Sequence, residues 1–208
     1  FYFDLYPREN KYQHAAEFTI ISGKKIWNKY QIPSVCLVCN FPRPAGNKPS
    51  LLPHEDVETF FHEFGHLLHD LLTNSELYSQ SGTSVDIDFV EAPSQMMENW
   101  AWNRQVLNTF AKHYQTGEVI PDSLLSAMIS AKNIQSGNNL LQQIFYSTLD
   151  LTLHEKFTNH ESQRVSDIVT ELQNTITNFA HIDGTHLEAS FDHMLDYGAS
   201  YYGYLWSE

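Results

Sequence analysis

Apolar side chains recur at helical spacing from Val57 to Leu72: Val57, Phe60, Phe61, Phe64, Leu67, Leu68, Leu71 and Leu72. This periodicity predicts a helix over about 54–73 that is apolar around most of its girth and belongs in a core. A turn-rich run, Arg43 to Ser50, and Pro53 precede it, and Glu55 and Asp56 put negative charge where a helix N-terminus favours it. Upstream, β-rich runs predict short strands at roughly 1–6, 17–22 and 34–40. Downstream, helical patterns fall at about 89–116, 122–133, 137–157 and 161–179, with Gly117 and Pro121 separating two of them. The expected class is α+β, predominantly α-helical, with a small N-terminal β-sheet beside the first long helix. A chain of 208 residues, 42% hydrophobic, is enough for one domain with a good core. Within it, 1–53 forms a sheet and loop region and 54–208 a helical region.

The core helix carries an anomaly: His62, Glu63 and His66 lie inside it, and polar groups there are costly unless something satisfies them. Positions i and i+4 share a helix face about 6 Å apart along the axis, so His62 and His66 can grip one metal ion. Glu63 projects beside them, where it can take a proton from an attacking water; the expected cofactor is one zinc ion per chain. A hydrolytic zinc site needs a third protein ligand. His69 continues the same face, but it stands about 10 Å from His62 along the axis, a poor span for a tetrahedral ion. Glu91, which opens the next helical pattern after the polar stretch Thr73 to Thr83, is the better candidate, since an antiparallel helix would return it to the metal. His69 is read as a residue that walls the site or supports a ligand from behind. Glu58 and Glu98 either orient an imidazole or are solvated helix charges. The layout with three histidines would need Gly at 69 and His at 72, and the thermolysin-like layout Asp at 95; the chain has His69, Leu72 and Gln95.

The run FFHEFGHLLHDLLTNSELYSQSGTSVDIDFVEAPSQMMENW, from Phe60 to Trp100, strongly resembles the thimet oligopeptidase family of zinc metallopeptidases. FYFDLYPREN, KYQHAA, VCLVCNFPRP, FAKHYQTGEVIP and YYGYLWSE extend the likeness over nearly the whole chain. The resemblance implies a zincin-type catalytic core, metal ligands at His62, His66 and Glu91, and a catalytic Glu63. Tyrosine also fills four of the eight positions from Tyr197 to Tyr204, a pattern suited to a flexible loop edging a cleft. Phenol and imidazole groups can donate hydrogen bonds to the oxyanion formed when water attacks a peptide carbonyl. Carried over from the family, His193 and Tyr204 serve the transition state, with Tyr197 and Tyr201 contacting substrate. The chain departs from many members by having Leu195-Asp196 where they carry a Gly-Gly pair, which bears on loop flexibility and on Tyr197.

Other candidates are plainer. Cys36 and Cys39 have no second pair to complete a metal site and read as reduced core thiols. His14 has no chemical partner in sequence, and His113, His154, His160, His181 and His186 read as surface or capping residues. Gly82-Thr83 is either a turn or a source of backbone groups for an extended substrate.

A formal charge of −13 argues against nucleic acid or an anionic membrane as partner. No apolar run is long enough to span a bilayer. Two cysteines suggest a reducing interior, cytoplasmic or alternatively a mitochondrial or other organelle matrix. The opening residues read as a strand already in progress, so the expectation is a fragment of a longer catalytic domain whose partners are short peptides and the remainder of its own chain, as a monomer. The expected activity is zinc-dependent endopeptidase cleavage of short oligopeptides. The alternatives are a dipeptidyl carboxypeptidase of the same family and a zinc-binding domain without catalysis.

Overall fold

The computed structural model describes residues 1–155 and 164–208. The expected helix end at 156–157, the expected helix start at 161–163 and His160 lie outside the described residues. The chain divides into two compact units, Phe1–Ala127 with Glu208, and Met128–Ser207.

In the first unit, β1 (Tyr2–Asp4), β2 (Ala16–Ile21), β3 (Lys24–Ile26), β4 (Lys29–Gln31) and β5 (Ser34–Val38) form two sheets. One has the order β1-β5-β2, with β1 parallel and β2 antiparallel to β5. The other is the β3–β4 hairpin, which the apolar pattern did not predict. Its strands, Lys-Lys-Ile and Lys-Tyr-Gln, lack an alternating apolar face, and its turn begins at Trp27 with φ +56° and no glycine to announce it. The central strand β5 buries Val35 and Leu37 completely. These pack with Cys39, Phe41 and Leu67, the last from α1 (His54–Leu71), and Phe60, Phe64, Leu68 and Leu71 of that helix extend the cluster.

After α1 the chain reverses around Asp70, which is 1% exposed. Its carboxylate accepts hydrogen bonds from the Thr19 hydroxyl on β2 and, at 3.3 Å, from the Thr83 backbone N–H. Gly82, at φ +57°, donates its N–H to Thr73 Oγ1 at 3.1 Å. A Cβ on Gly82 would run into the Asp70 carboxylate, so only glycine closes this turn. Gly82-Thr83 is thus part of a built turn, with both backbone N–H groups engaged internally.

The turn delivers α2 (Ile87–Glu98) against α1. The two helices meet at Gly65, where a Cβ would lie 2.5 Å from Ser94 Cα and 2.7 Å from the Pro93 carbonyl oxygen. Gly65 and Ser94 are both buried.

The single helix expected over 89–116 is in fact three pieces: α2, a 3₁₀ turn at Asn99–Trp102, and α3 (Arg104–Phe110). Asn103 makes the break. Its side-chain oxygen accepts from the N–H groups of Gln105 at 2.9 Å and Val106 at 3.3 Å, restarting the helix as an N-cap. Residues 111–116 leave the helix and return through Gly117, at φ +74°, into an isolated bridge between Lys112 and Val119. The helix α4 (Asp122–Lys132) follows.

In the second unit, α5 (Ser136–Glu155) and α6 (Val165–Ile176) pack through Phe145, Leu149, Ile168 and Val169. The tyrosine-rich segment, expected as a flexible loop, contains two short helices, α7 (His193–Asp196) and α8 (Gly203–Ser207), joined by a turn.

Replacing Gly65 with alanine sets helix propensity against packing. Propensity favours alanine by about 1 kcal/mol, whereas overpacking a backbone contact costs about 1–3 kcal/mol. Gly65→Ala is therefore expected to lower the urea unfolding midpoint, and a raised midpoint would show that α2 can step back freely.

Candidate metal centre

His62 and His66 stand one turn apart on α1, their ring centroids 5.0 Å apart and their planes 79° from parallel. Glu91, in the first half of α2, places Oε2 3.2 Å from the Nε2 atoms of both histidines. Among the described residues, His62, His66 and Glu91 are the one group of three or more such side chains arranged to hold a metal ion, with their ligand atoms all within 4.8 Å. Donors bonded at about 2.0–2.1 Å around a tetrahedral ion lie about 3.3 Å from one another. The two nitrogen–oxygen separations of 3.2 Å match that value, and the donor set of two imidazoles and a carboxylate suits a divalent cation.

The ligand atoms are themselves held. The Ser94 hydroxyl, one turn after Glu91 on α2, donates to Glu91 Oε2 and to its carbonyl oxygen, each at 2.8 Å. Glu98, two turns after Glu91, places Oε1 2.7 Å from His62 Nδ1 and so turns Nε2 of that ring toward Glu91. Ser94 was not singled out from sequence; its hydroxyl three residues after Glu91 was the available signal.

Charge at the site favours a cation. Burial opposes protonation of His62, but the hydrogen bonds its ring donates to Glu91 and Glu98, with the charges of Glu91 and Glu63, push it up to about 10. Burial would raise the Glu91 carboxyl, yet His62, His66 and Ser94 together hold it well below the usual carboxylate range. Glu63 follows His62 on the helix and is 8% exposed. Burial pushes its carboxyl up, opposed by the charges of His62 and His66, while the backbone N–H of Glu17 on β2 hydrogen-bonds it. The Glu17 carboxyl is itself pushed up to about 8, first by burial and then by Asp70 and Glu63.

The remaining candidates are placed as follows. Glu58 accepts a hydrogen bond from the Trp102 indole at 2.6 Å. His69 lies outside the ligand cluster, with its ring edge-on to Phe89 and its Nδ1 buried without a hydrogen-bond partner; burial lowers its proton affinity. It lines a cavity of about 460 Å³ together with Leu68, Leu72, Met96 and Met97. Cys36 and Cys39 are free thiols, and burial pushes Cys39 up to about 12. His14 is exposed beside the Tyr12 ring.

The second unit gathers its own predicted group. His193 Nε2 and Tyr204 Oη are hydrogen-bonded at 2.9 Å. The Tyr201 ring lies 4.9 Å from His193 and 5.1 Å from Tyr204, and Tyr197, half-exposed, lies 5.6 Å from His193. Burial, then Tyr146, raises the Tyr201 phenol.

Two histidines at i and i+4 with a glutamate between them on one helix form the motif of a metalloprotease. The chain belongs to Peptidase family M3, whose profile it matches over residues 1–208. It is 42% identical over 209 residues to the mitochondrial intermediate peptidase of Arabidopsis thaliana, covering 100% of this chain and 29% of that protein. It is 41% identical to saccharolysin of Saccharomyces cerevisiae, covering 100% and 30%. Oligopeptidase A of Haemophilus influenzae is 37% identical, at 100% and 31% coverage. The chain thus spans about 30% of the length of these relatives. No helix among the described residues is long and apolar enough to cross a membrane.

The His62–Glu98 contact has a direct readout. His62 is held above its ordinary value, so the stability it gains from these acids is complete below about pH 6.5 and is lost as pH rises toward 10. In chelator-treated protein, Glu98→Ala is expected to move the NMR titration midpoint of His62 toward acid pH. An unmoved midpoint would remove Glu98 as its partner.

Proposed function

We propose that this chain carries the catalytic centre of a zinc-dependent endopeptidase of the zincin type that cleaves internal bonds of short oligopeptides. The observation that supports this most is the convergence of His62, His66 and Glu91 beside the buried Glu63. In the proposal the two Nε2 atoms and a Glu91 oxygen hold zinc, and His69 stays outside the ligand set. Zinc supplies Lewis acidity there, lowering the pKa of a coordinated water and polarising a carbonyl.

The chain's own groups do the rest. Burial keeps the Glu63 carboxylate dry, which raises its affinity for a proton above that of an exposed glutamate. Glu63 takes the proton of the attacking water and delivers it to the departing amine. Glu98 holds the His62 tautomer that leaves Nε2 free to ligate, and Ser94 steadies Glu91. His193 and Tyr204 are proposed as donors to the oxyanion, on the strength of the hydrogen bond that joins them and of the family pattern, with Tyr197 and Tyr201 contacting the substrate.

Glu63→Gln is expected to retain stoichiometric zinc, measured by elemental analysis, while losing hydrolysis of a peptide blocked at both ends. Near-normal turnover would rule out Glu63 as the base. In the same assay Glu91→Ala should lose tight zinc and His69→Ala keep it; the reverse pattern would overturn the ligand set. Release of C-terminal dipeptides alone, from unblocked peptides, would replace the endopeptidase reading with a dipeptidyl carboxypeptidase. Tyr204→Phe is expected to lower kcat by about 10²–10³-fold with zinc unchanged.

A further inference from the structure

Asp150 on α5 is completely buried, and no step above uses it. A carboxylate without water is costly unless its oxygens are engaged. Here Oδ1 accepts the Ala199 backbone N–H and Oδ2 the Tyr201 backbone N–H, each at 2.9 Å. The His154 ring, one turn further along α5, places Nδ1 3.0 Å from Oδ1 and 2.8 Å from the Asp150 carbonyl oxygen. Two alternate amides of one turn are thus gripped by a single side chain.

The turn needs that grip. Ala199 sits at φ +63°, a left-handed conformation in which an L-residue's Cβ crowds the following carbonyl oxygen. Such a backbone persists where its surroundings fix it. Gly198 passes so close to His154 that a Cβ would lie 2.9 Å from ring atoms Cδ2 and Cε1. The segment leaving this turn carries Tyr201, whose ring packs against His193 and Tyr204, and then α8 with Tyr204 itself.

We infer that Asp150 is a positioning residue: by holding the N–H groups of Ala199 and Tyr201 against α5, it sets the Tyr201–Tyr204 segment. The inference rests on the reading that Tyr204 and His193 act on the substrate. The packing of α5 on α6 is carried separately by Phe145, Leu149, Ile168 and Val169, so losing the clamp loosens the turn and leaves the helix pair standing.

The test is made in the full-length protein with Asp150→Asn and with Gly198→Ala, which crowds the turn against His154 without altering the carboxylate. Hydrogen exchange reads the turn independently of activity, and steady-state kinetics read the consequence. Both variants should lose amide protection over 197–205 and keep it over 141–153 and 165–176. Their kcat should fall by about 10–100-fold with KM changed far less, because misplaced donors weaken the transition state. Protection retained over 197–205 overturns the inference. So does protection lost throughout α5 and α6, which would make Asp150 a support of the fold, and so does local loss with unchanged kcat. A parent protein that hydrolyses no peptide refutes the proposed function instead, and hydrogen exchange then still decides whether Asp150 holds the turn.

Discussion

Glu91 reaches His62 and His66 only because α1 and α2 touch backbone to backbone at Gly65 and Ser94. With any side chain at Gly65, the Pro93–Ser94 backbone must retreat, and the carboxylate that bridges two imidazoles at 3.2 Å retreats with it. The glycine inside the histidine motif is therefore a spacer for the neighbouring helix. Its cost to helix propensity, about 1 kcal/mol, is offset because α1 is held on its other face by Leu67, Phe60 and Phe64 against β5. The sheet steadies the helix, the steadied helix tolerates a glycine, and the glycine admits the third ligand.

Proximity also explains the electrostatics. Glu63, Glu91 and Glu98 surround two imidazoles in a part-buried setting where charges interact more strongly than in water. Three acids against two bases leave a site that attracts positive charge. A proton and a metal ion compete for the same nitrogen lone pairs, so the acids that raise the proton affinity of His62 also favour a cation. Glu98 engages Nδ1, so the Nε2 that faces Glu91 is the nitrogen at which proton and metal compete.

Much of this was legible in the sequence, because the relevant signals are local. The apolar periodicity of 57–72 located α1, and i, i+4 spacing put His62 and His66 on one face, where the structure has them with Glu91 alongside. What escaped was decided at single residues, by a backbone conformation, a cap or a contact that apolar periodicity does not register. The β3–β4 hairpin turns on Trp27, which no turn rule favours. The break at Asn103 is a cap inside a run whose composition still reads as helix. The Trp102 indole takes as its partner Glu58, 44 residues away, which only the folded chain identifies, whereas Ser94 lies three residues from Glu91.

Two buried aspartates show why such contacts stay hidden. Asp70 on α1 and Asp150 on α5 each occupy a helix position that composition alone assigns to a solvated charge. Yet they are 1% and 0% exposed, and each accepts backbone N–H from a later turn: Thr83, 13 residues on, for Asp70, and Ala199 and Tyr201 for Asp150. The turns concerned contain left-handed residues: Gly82, which adopts that conformation freely, and Ala199, which would not hold it by propensity. In both units a rigid helix lends a carboxylate to a segment that must be fixed but cannot be regular. One such segment delivers α2 and its Glu91; the other delivers the tyrosines. The same device, used twice, fixes a turn within each unit: Asp70 holds the one that precedes α2, and Asp150 the one that precedes α8.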